Sequence, residues 1–232
     1  MNNSQYKTKG ILLRRVDYGE ADRIVTFLTP THGKVGAMVK GARKVKSKLA
    51  GGIELFSLSD LTLLKGRRDL DQLISARLVE HYGDIVKDMN RTMFGYEVLK
   101  QMDRATEDAS GEEHFDVLHQ TLKALGDLTI SLAVVKVWFL LRLLHSLGHM
   151  PSLEGTSDVR RQNTEDNKFV FDFDAMNFMR SQRGVYTEDH IKLLRLAEKY
   201  GPEVLQRVKD IETILPPLEN LLQRLVQMQT HR

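Results

Sequence analysis

The chain reads ILLRRVDYGEADRIVTFLTPTHGKVGAMV between residues 11 and 39, and its apolar residues come in short runs separated by turn sequences. Residues 17–20 predict one turn and residues 29–33 a second, because Pro presets a turn torsion and Gly accepts a positive φ. The runs between these turns are short and lack the period of a helix, which is typical of β-strands. This stretch therefore predicts three strands joined by tight turns.

Two further runs, around residues 56–64 and 73–79, continue the strand pattern. Five short strands with tight early turns and no helical period predict a small antiparallel barrel. Among such barrels the five-stranded OB barrel, which binds nucleic acid, is the leading candidate. The first domain is expected to span residues 1–80.

The spacing of apolar residues changes near Tyr82. Residues 93–102 and 115–125 carry apolar side chains at helical spacing, and residues 127–149 are apolar on most sides. A soluble helix that is apolar all round belongs in the middle of a bundle. We therefore expect an α+β protein, with an N-terminal OB-fold barrel followed by an all-α helical-bundle domain over residues 81–232.

The composition excludes several classes of protein. None of the 232 residues is a cysteine, which excludes a disulfide framework, a thiol nucleophile and a cysteine-ligated zinc site. The first ten residues lack the apolar core of a signal peptide, which predicts a cytoplasmic protein. The longest apolar stretch, residues 128–147, contains Lys136, Arg142 and His145, so we interpret it as a buried helix rather than a membrane span.

The net charge of +3 conceals an uneven distribution. Residues 1–80 hold 15 Lys and Arg against 8 Asp and Glu, whereas residues 81–232 hold 19 against 23. A basic N-terminal domain favours a polyanionic partner, and the densest run is KGARKVKSK at residues 40–48. The basic side chains predicted to bind nucleic acid are Arg14, Arg15, Lys40, Arg43, Lys44, Lys46, Lys48, Lys65, Arg67 and Arg68.

Catalytic and metal chemistry are not indicated. Three pairs of side chains could act as acids, bases or ligands, namely Glu20 with Asp22, Asp172 with Asp174, and His145 with His149. The first pair is expected to accept hydrogen bonds from backbone amides, the second to lie on a solvated strand face, and the third to lie at a helix C-terminus. We therefore expect no catalytic residue, no metal and no cofactor.

Several motifs together resemble the RecO recombination-mediator family. They are YGEADRIVT at 18–26, LTPTHGK at 28–34, KGARKVKSKLAG at 40–51, GIELFS at 52–57, LTLLKG at 61–66 and VKVWFLLRLLHSLGHMPSL at 135–153. Each motif is short, but their order and spacing are specific. The resemblance is strong over residues 7–80, moderate over 90–153 and weak beyond Leu153.

The resemblance implies a non-enzymatic mediator of DNA repair and homologous recombination. Such a protein would bind single- and double-stranded DNA, anneal complementary strands and, with RecR, help load the recombinase RecA onto DNA coated by single-strand-binding protein. It would be cytoplasmic and associated with the nucleoid. Family members often carry a cysteine zinc module after the central helix; residues 151–183 contain no cysteine here, so zinc is not expected.

The resemblance also implies binding of the acidic, hydrophobic C-terminal tail of single-strand-binding protein. For that tail we predict an apolar slot at Leu141 and Leu144 with a cationic rim at Lys136 and Arg142. Two other functions remain open: an OB-fold RNA-binding factor or nucleic-acid-processing enzyme, and a protein-interaction scaffold. The basic run at 40–48 argues against the scaffold, and the absence of paired catalytic groups argues against the enzyme.

Overall fold

The computed structural model describes residues 4–47, 49–66, 70–106, 111–153 and 168–230. The chain divides into two compact units, Met1–Leu128 and Thr129–Arg232. The first unit therefore continues well beyond residue 80, where the sequence predicted the first domain to end, and takes in two helices as well as the barrel.

The first unit is built on a closed five-stranded barrel with the strand order β1-β2-β3-β5-β4. Strand β1 is long enough to pair with β4 through its first half and with β2 through its second half, and both pairings are antiparallel. Strands β3 and β5 pair in parallel and close the barrel. The strands are β1 (Gln5–Tyr18), β2 (Asp22–Thr29), β3 (Gly33–Val39), β4 (Ser57–Leu64) and β5 (Leu70–His81). This arrangement confirms the predicted five-stranded barrel, although the closing pair β3–β5 is parallel rather than antiparallel, and the strand order is that of an OB fold.

Alternation along the strands fills the barrel interior. Val35, Ala37 and Val39 are buried along β3, while the residues between them are partly exposed. Gly10 lies close to the core where β1 crosses it, because a Cβ there would lie 2.5 Å from Leu61 Cδ1 and the buried leucine would have to shift. Gly33 has a φ of +60°, as expected at the end of the second predicted turn.

Two helices complete the first unit, α1 (Met89–Ala105) and α2 (Glu112–Gly126). The side chain of Asp88 caps α1 by accepting from the Arg91 N–H at 2.9 Å. The buried Arg91 side chain donates to the backbone oxygens of Leu125 and Asp127 at 2.9 and 3.2 Å, where α2 ends. These bonds satisfy carbonyls that the end of a helix leaves unpaired, and they fix the two helices to each other.

The second unit combines helices with a three-stranded sheet. Helix α3 packs against the last helix, and its side chains from Val137 to Leu141 are all buried, as predicted for an apolar helix inside a bundle. The sheet has the order β7-β6-β8. The elements are α3 (Leu132–Ser146), β6 (Lys168–Asp172), β7 (Asn177–Arg180), β8 (Tyr186–Thr187), α4 (Glu188–Lys199), α5 (Pro202–Leu205) and α6 (Ile211–Thr230).

Aromatic packing holds this sheet together in the region where the resemblance implied a zinc module. Phe171 contacts Phe178 edge-on with ring centroids 5.0 Å apart, and Phe178 contacts Tyr186 in the same way at 5.4 Å. Such edge-to-face pairs stabilise beyond their area burial. Residues 154–167 of the predicted insert lie outside the described residues.

The last helix begins earlier than the sequence indicated. Pro216 and Pro217 were expected to start it, but α6 begins at Ile211 and includes both prolines. Pro216 is exposed, so its ring faces solvent in the second turn of the helix. Within the described ranges, no helix combines the length and apolar character needed to span a bilayer.

Candidate nucleic-acid interface

The basic segment after β3 is fastened to the turn between β1 and β2. The Gly41 N–H donates to Asp22 Oδ1 at 2.7 Å, and the Arg43 N–H donates to the Ala21 carbonyl at 2.9 Å. Gly41 has a φ of +65°, a conformation that glycine adopts without strain. Asp22 thus accepts from a backbone amide as expected, but the amide lies in a different loop, 19 residues away.

Asp17 organises the arginines beside this contact. Arg23 Nε donates to Asp17 Oδ1 at 2.9 Å, and Arg43 Nε lies 3.4 Å from Asp17 Oδ2. The hydrogen bond from Arg23, with the charges of Arg43, Arg23 and Arg15, holds the pKa of Asp17 below its usual value. The Asp17 carboxylate therefore lies within the influence of three guanidinium groups, two of which it contacts directly.

The tip of the basic segment projects its cations into solvent. Lys44, Val45 and Lys46 are exposed, Val45 fully so, and Lys40 is exposed at the start of the segment. In the part of the chain that the structure describes, the ammonium groups of Lys40, Lys44 and Lys46 have no hydrogen-bond or ion-pair partner. They are accessible to the phosphates of a nucleic acid. We call residues 40–46 the basic loop; Lys48 lies outside the described residues.

The two arginines near the end of β1 point to different partners. Arg15 Nη1 bonds Glu54 Oε2 at 3.0 Å, and its charge acts on Asp17, which places it beside the basic loop. Arg14 Nε instead lies 3.6 Å from Asp103 Oδ2 on α1, and Lys34 Nζ contacts the same carboxylate at 3.2 Å. Adjacent residues of a strand face opposite sides, so Arg14 is directed to α1.

The cations between β4 and β5 lie at the other end of β1. Lys65 follows Leu64, which pairs with Gln5, whereas Arg15 is ten residues further along the strand, about 30 Å at the usual rise per residue. Lys65 Nζ lies 3.6 Å from the buried carboxylate of Asp71. Asp71 pairs with Ala37 of β3, three residues before Lys40, so the Lys65 cluster approaches the start of the basic loop through β3 and β5 rather than through β1. Arg67 and Arg68 lie outside the described residues.

Asp71 is held ionised although it is buried. Burial alone would raise its pKa, but hydrogen bonds from the Tyr6 hydroxyl and the Gly66 N–H, together with the charge of Lys65, lower it overall. Burial and the same carboxylate raise the pKa of Tyr6. Lys65 consequently has a structural partner, and its availability to DNA is less than that of the lysines in the basic loop.

The slot predicted for an acidic tail is absent from the surface. Leu141 and Leu144 are both 0% exposed, so they cannot receive a side chain from a partner. Lys136 Nζ pairs with Glu219 Oε1 at 2.9 Å, and Arg142 Nη1 donates to the Glu198 carbonyl at 3.0 Å. The burial of both leucines within their own unit leaves no open slot at the predicted position.

The remaining candidate ligand pairs occupy turns and helix ends. Asp172 Oδ1 accepts from the backbone N–H groups of Asp174 and Ala175 at 2.9 and 3.0 Å, which closes the turn after β6. His145 lies in the last turn of α3. Across the described ranges, no group of three or more His, Asp or Glu side chains is placed to hold a metal ion.

Sequence reasoning missed the role of Asp17 and Arg23. Strands β1 and β2 pair these two residues directly opposite each other, next to the turn. Opposite charges at such positions stabilise a hairpin. Aligning the two strands around the turn at residues 18–22 would have placed Asp17 opposite Arg23 and so indicated the ion pair. The contact between Asp22 and Gly41 lies at the open end of the β2–β3 hairpin, where Arg23 pairs with Val39, so it too depends on knowing a hairpin register.

Comparison with known proteins gives a consistent result. A family model described as "Recombination protein O N terminal" matches residues 1–82. The chain is 36% identical over 159 residues to DNA repair protein RecO of Roseiflexus sp. (strain RS-1), which covers 66% of this chain and 53% of that protein. It is 31% identical over 178 residues to DNA repair protein RecO of Acetivibrio thermocellus, and the match covers 76% of this chain and 69% of that protein. It is 32% identical over 166 residues to DNA repair protein RecO of Alkaliphilus metalliredigens, and the match covers 71% of this chain and 66% of that protein. The chain thus spans between about half and two thirds of the length of these curated relatives.

Proposed function

Because the chain belongs to the RecO family of DNA repair proteins, we propose that it is a mediator of homologous recombination that binds single- and double-stranded DNA. The proposal includes annealing of complementary strands and, with RecR, help in loading RecA onto DNA coated by single-strand-binding protein. It also includes binding of that protein's acidic tail and a cytoplasmic, nucleoid-associated location. These activities follow from the resemblance of the chain to the family.

The observation that carries the proposal is the basic loop on the barrel. Its three accessible ammonium groups, on Lys40, Lys44 and Lys46, stand next to guanidinium groups that Asp17 holds in place. Groups of this kind neutralise phosphates and release counterions, so they bind DNA of any sequence. The Gly41 N–H donates to the Asp22 carboxylate and the Arg43 N–H to the Ala21 carbonyl, and these two bonds keep loop and turn together without a bound ligand.

The chemistry of annealing fits such a site. Two strands approach each other against the repulsion of their phosphates, and cations that neutralise both backbones reduce that repulsion. Few aromatic side chains accompany the loop; Tyr18, at the end of β1, is about half exposed and could stack on a base. A site that binds the DNA backbone leaves most bases free to pair with a complementary strand. No group in this scheme acts as an acid, a base or a nucleophile, so we propose a mediator rather than an enzyme.

Strand annealing in the absence of nucleotide tests the proposal. The full chain is expected to accelerate pairing of two complementary oligonucleotides, first naked and then coated with single-strand-binding protein, and Lys44→Glu with Lys46→Glu is expected to abolish most of the acceleration. Lys199→Glu with Lys209→Glu, a matched pair of exposed lysines in the second unit, should leave it unchanged. Cleavage or modification of the DNA, or binding of RNA without annealing of DNA, would overturn the proposal in favour of the alternatives.

A further inference from the structure

Two arginines from different parts of the barrel converge on one exposed carboxylate. Arg23 lies on β2 and Arg43 on the basic loop, and their Nε atoms lie 2.9 and 3.4 Å from the two oxygens of Asp17. The loop reaches this position because it is fastened to the turn between β1 and β2. We call Arg23 and Arg43 the arginine pair. Each guanidinium group has five N–H groups, so one carboxylate leaves most of these donors to other acceptors.

A second ion pair of the same barrel shows what pairing across two strands requires. Asp60 of β4 lies opposite Arg77 of β5, and their side chains are 2.6 Å apart. Asp17 lies opposite Arg23 in the same way. Among the described residues, however, Asp60 has one ion-pair partner and Asp17 has two. Stabilisation of a hairpin explains the first partner of Asp17 but not the second, which comes from a loop outside that hairpin.

The arginine pair keeps an excess of positive charge and can be reached from solvent. Two guanidinium groups against one carboxylate leave one positive charge, and the neighbouring Arg15 is balanced by Glu54 at 3.0 Å. The side chain of Asp17 is 54% exposed and that of Arg43 is 40% exposed. An ion pair as exposed as this one is screened by water and salt and contributes little to stability. Its carboxylate can therefore be exchanged for another anion at little cost to the fold.

We propose that the arginine pair binds one phosphate of the DNA backbone, and that Asp17 occupies this site in the free protein as an internal competitor. The proposal rests on the DNA-binding function proposed above and adds Arg23 to the residues that contact DNA. A phosphate, like a carboxylate, offers several oxygens to which two guanidinium groups donate charge-assisted hydrogen bonds. Lys44 and Lys46 attract the backbone, and the arginine pair then exchanges its carboxylate for a phosphate.

An internal competitor suits a protein that releases the strands it has paired. The carboxylate of Asp17 is attached to the same hairpin as the arginine pair, so its effective concentration at the site is high. When a phosphate dissociates, the carboxylate takes its place and opposes rebinding. The affinity for DNA is thereby held below the value that the cations alone would give.

Fluorescence anisotropy with a labelled oligo-dT strand tests the competitor on the full chain. Asp17→Asn keeps a side-chain oxygen but removes the charge, and it is expected to bind the strand about fivefold more tightly because the arginine pair is no longer partly neutralised. Asp60→Asn, the matched control, removes the same charge from the same barrel and should change the affinity by less than about twofold. Weaker binding by Asp17→Asn would assign Asp17 to hairpin stability alone. That result, or an equal gain in both variants, would overturn the proposal.

Arginine variants test the phosphate contact independently. Arg23→Gln should make the slope of the logarithm of the binding constant against the logarithm of salt concentration shallower by about one unit. Arg77→Gln, its counterpart in the Asp60 pair, should leave the slope unchanged. When Arg23→Gln is already present, Asp17→Asn should bring no further gain in affinity, because the pair that it frees is incomplete. An unchanged slope in Arg23→Gln, or a full gain from Asp17→Asn in that background, would contradict the phosphate site.

Failure of the proposed function gives a different result. If the unmodified chain did not bind oligo-dT, or if Lys44→Glu with Lys46→Glu bound it normally, the basic loop would not be the DNA site and both proposals would fall. If the lysine variant lost binding while Asp17→Asn and Arg23→Gln behaved like the unmodified chain, only the arginine pair would be excluded. Urea unfolding of each variant confirms that the comparison is made between folded proteins.

Discussion

The basic loop of the first unit and helix α3 of the second carry similar residues and use them in opposite ways. Each places apolar side chains among lysines and arginines, and each was a candidate binding site from sequence. In the loop, Val45 and its neighbouring lysines lie in solvent, and among the basic side chains described there only that of Arg43 pairs with a carboxylate. In α3, Leu141 and Leu144 are buried, while Lys136 and Arg142 bond other helices of the same unit.

The difference shows that binding capacity depends on which groups the fold has already satisfied. A lysine with a carboxylate at 2.9 Å gives up that contact when it binds a new anion, and its gain is reduced accordingly. A lysine surrounded by water exchanges only solvent and counterions. Lysine and arginine therefore contribute to stability in α3 and are available to a ligand in the basic loop.

The largest expected effect tests the α3 side of this comparison. Leu144→Ala removes a fully buried side chain and leaves a cavity, so the free energy of unfolding should fall by about 2–5 kcal/mol. Urea unfolding followed by circular dichroism measures this change. Val45→Ala at the fully exposed tip of the loop is the matched control and should change stability by less than about 0.5 kcal/mol. If both variants lost a similar amount of unfolding free energy, the proposed difference between α3 and the basic loop would be wrong.

A smaller effect is expected where the basic loop is anchored. Asp22→Ala leaves the Gly41 N–H without its acceptor, which should cost about 1–3 kcal/mol of stability. DNA affinity should fall because the loop loses an anchoring hydrogen bond. The dependence of affinity on salt concentration should stay the same because all the lysines of the loop remain. Asp22→Asn keeps an oxygen at the acceptor position and should restore most of both properties. If Asn behaves like Ala, the negative charge of Asp22 matters rather than its hydrogen bond to Gly41.

The two units should respond alike to mild acid, since each contains one buried histidine among its described residues. Burial lowers the pKa values of His114 and His190 below the usual 6.5, although Glu113 and Asp189 partly oppose the shift. Below pH 6.5 the unfolded chain gains protons that the folded chain does not, so stability is full above that pH and decreases as the pH falls towards 5. The loss should stay below about 1.4 kcal/mol per histidine and pH unit.

Urea unfolding at pH 7.5 and 5.5 measures this dependence. His114→Gln should reduce it, and Gln at both positions should remove most of it. The lowered pKa of Asp17 acts in a different window, below its usual value of 3.8, and so does not interfere. An unchanged pH dependence in the double variant would show that other groups are responsible.

The sequence predicted the barrel well because strand alternation and turns are local signals. Gly33 and the alternation of Val35, Ala37 and Val39 indicate their conformation from neighbouring residues alone. It did not predict that α1 and α2 join the barrel's unit, since contacts such as that of Lys34 on β3 with Asp103 on α1 link residues 69 positions apart. The early start of α6, ahead of Pro216, likewise contradicts a local rule for helix beginnings.

The candidate site was predicted in part for the same reason. A run of lysines at residues 40–48 is visible in the sequence, and the exposure of Lys44 and Lys46 agrees with it. The anchoring of that run by Asp22, and the pairing of Arg14 with Asp103 on α1, depend on tertiary structure. In α3, the apolar residues on most sides predicted a buried helix. The prediction of an open slot at Leu141 and Leu144 conflicted with that burial.

The salt dependence of DNA binding tests the central claim, that the exposed lysines of the basic loop bind the DNA backbone. The logarithm of the binding constant should fall linearly with the logarithm of salt concentration, and Lys44→Glu with Lys46→Glu should make the slope shallower by about two units. The control variant, Lys199→Glu with Lys209→Glu, should show the same slope as the unmodified protein. An unchanged slope in the loop variant, or an equal change in both variants, would contradict the assignment of DNA binding to the basic loop.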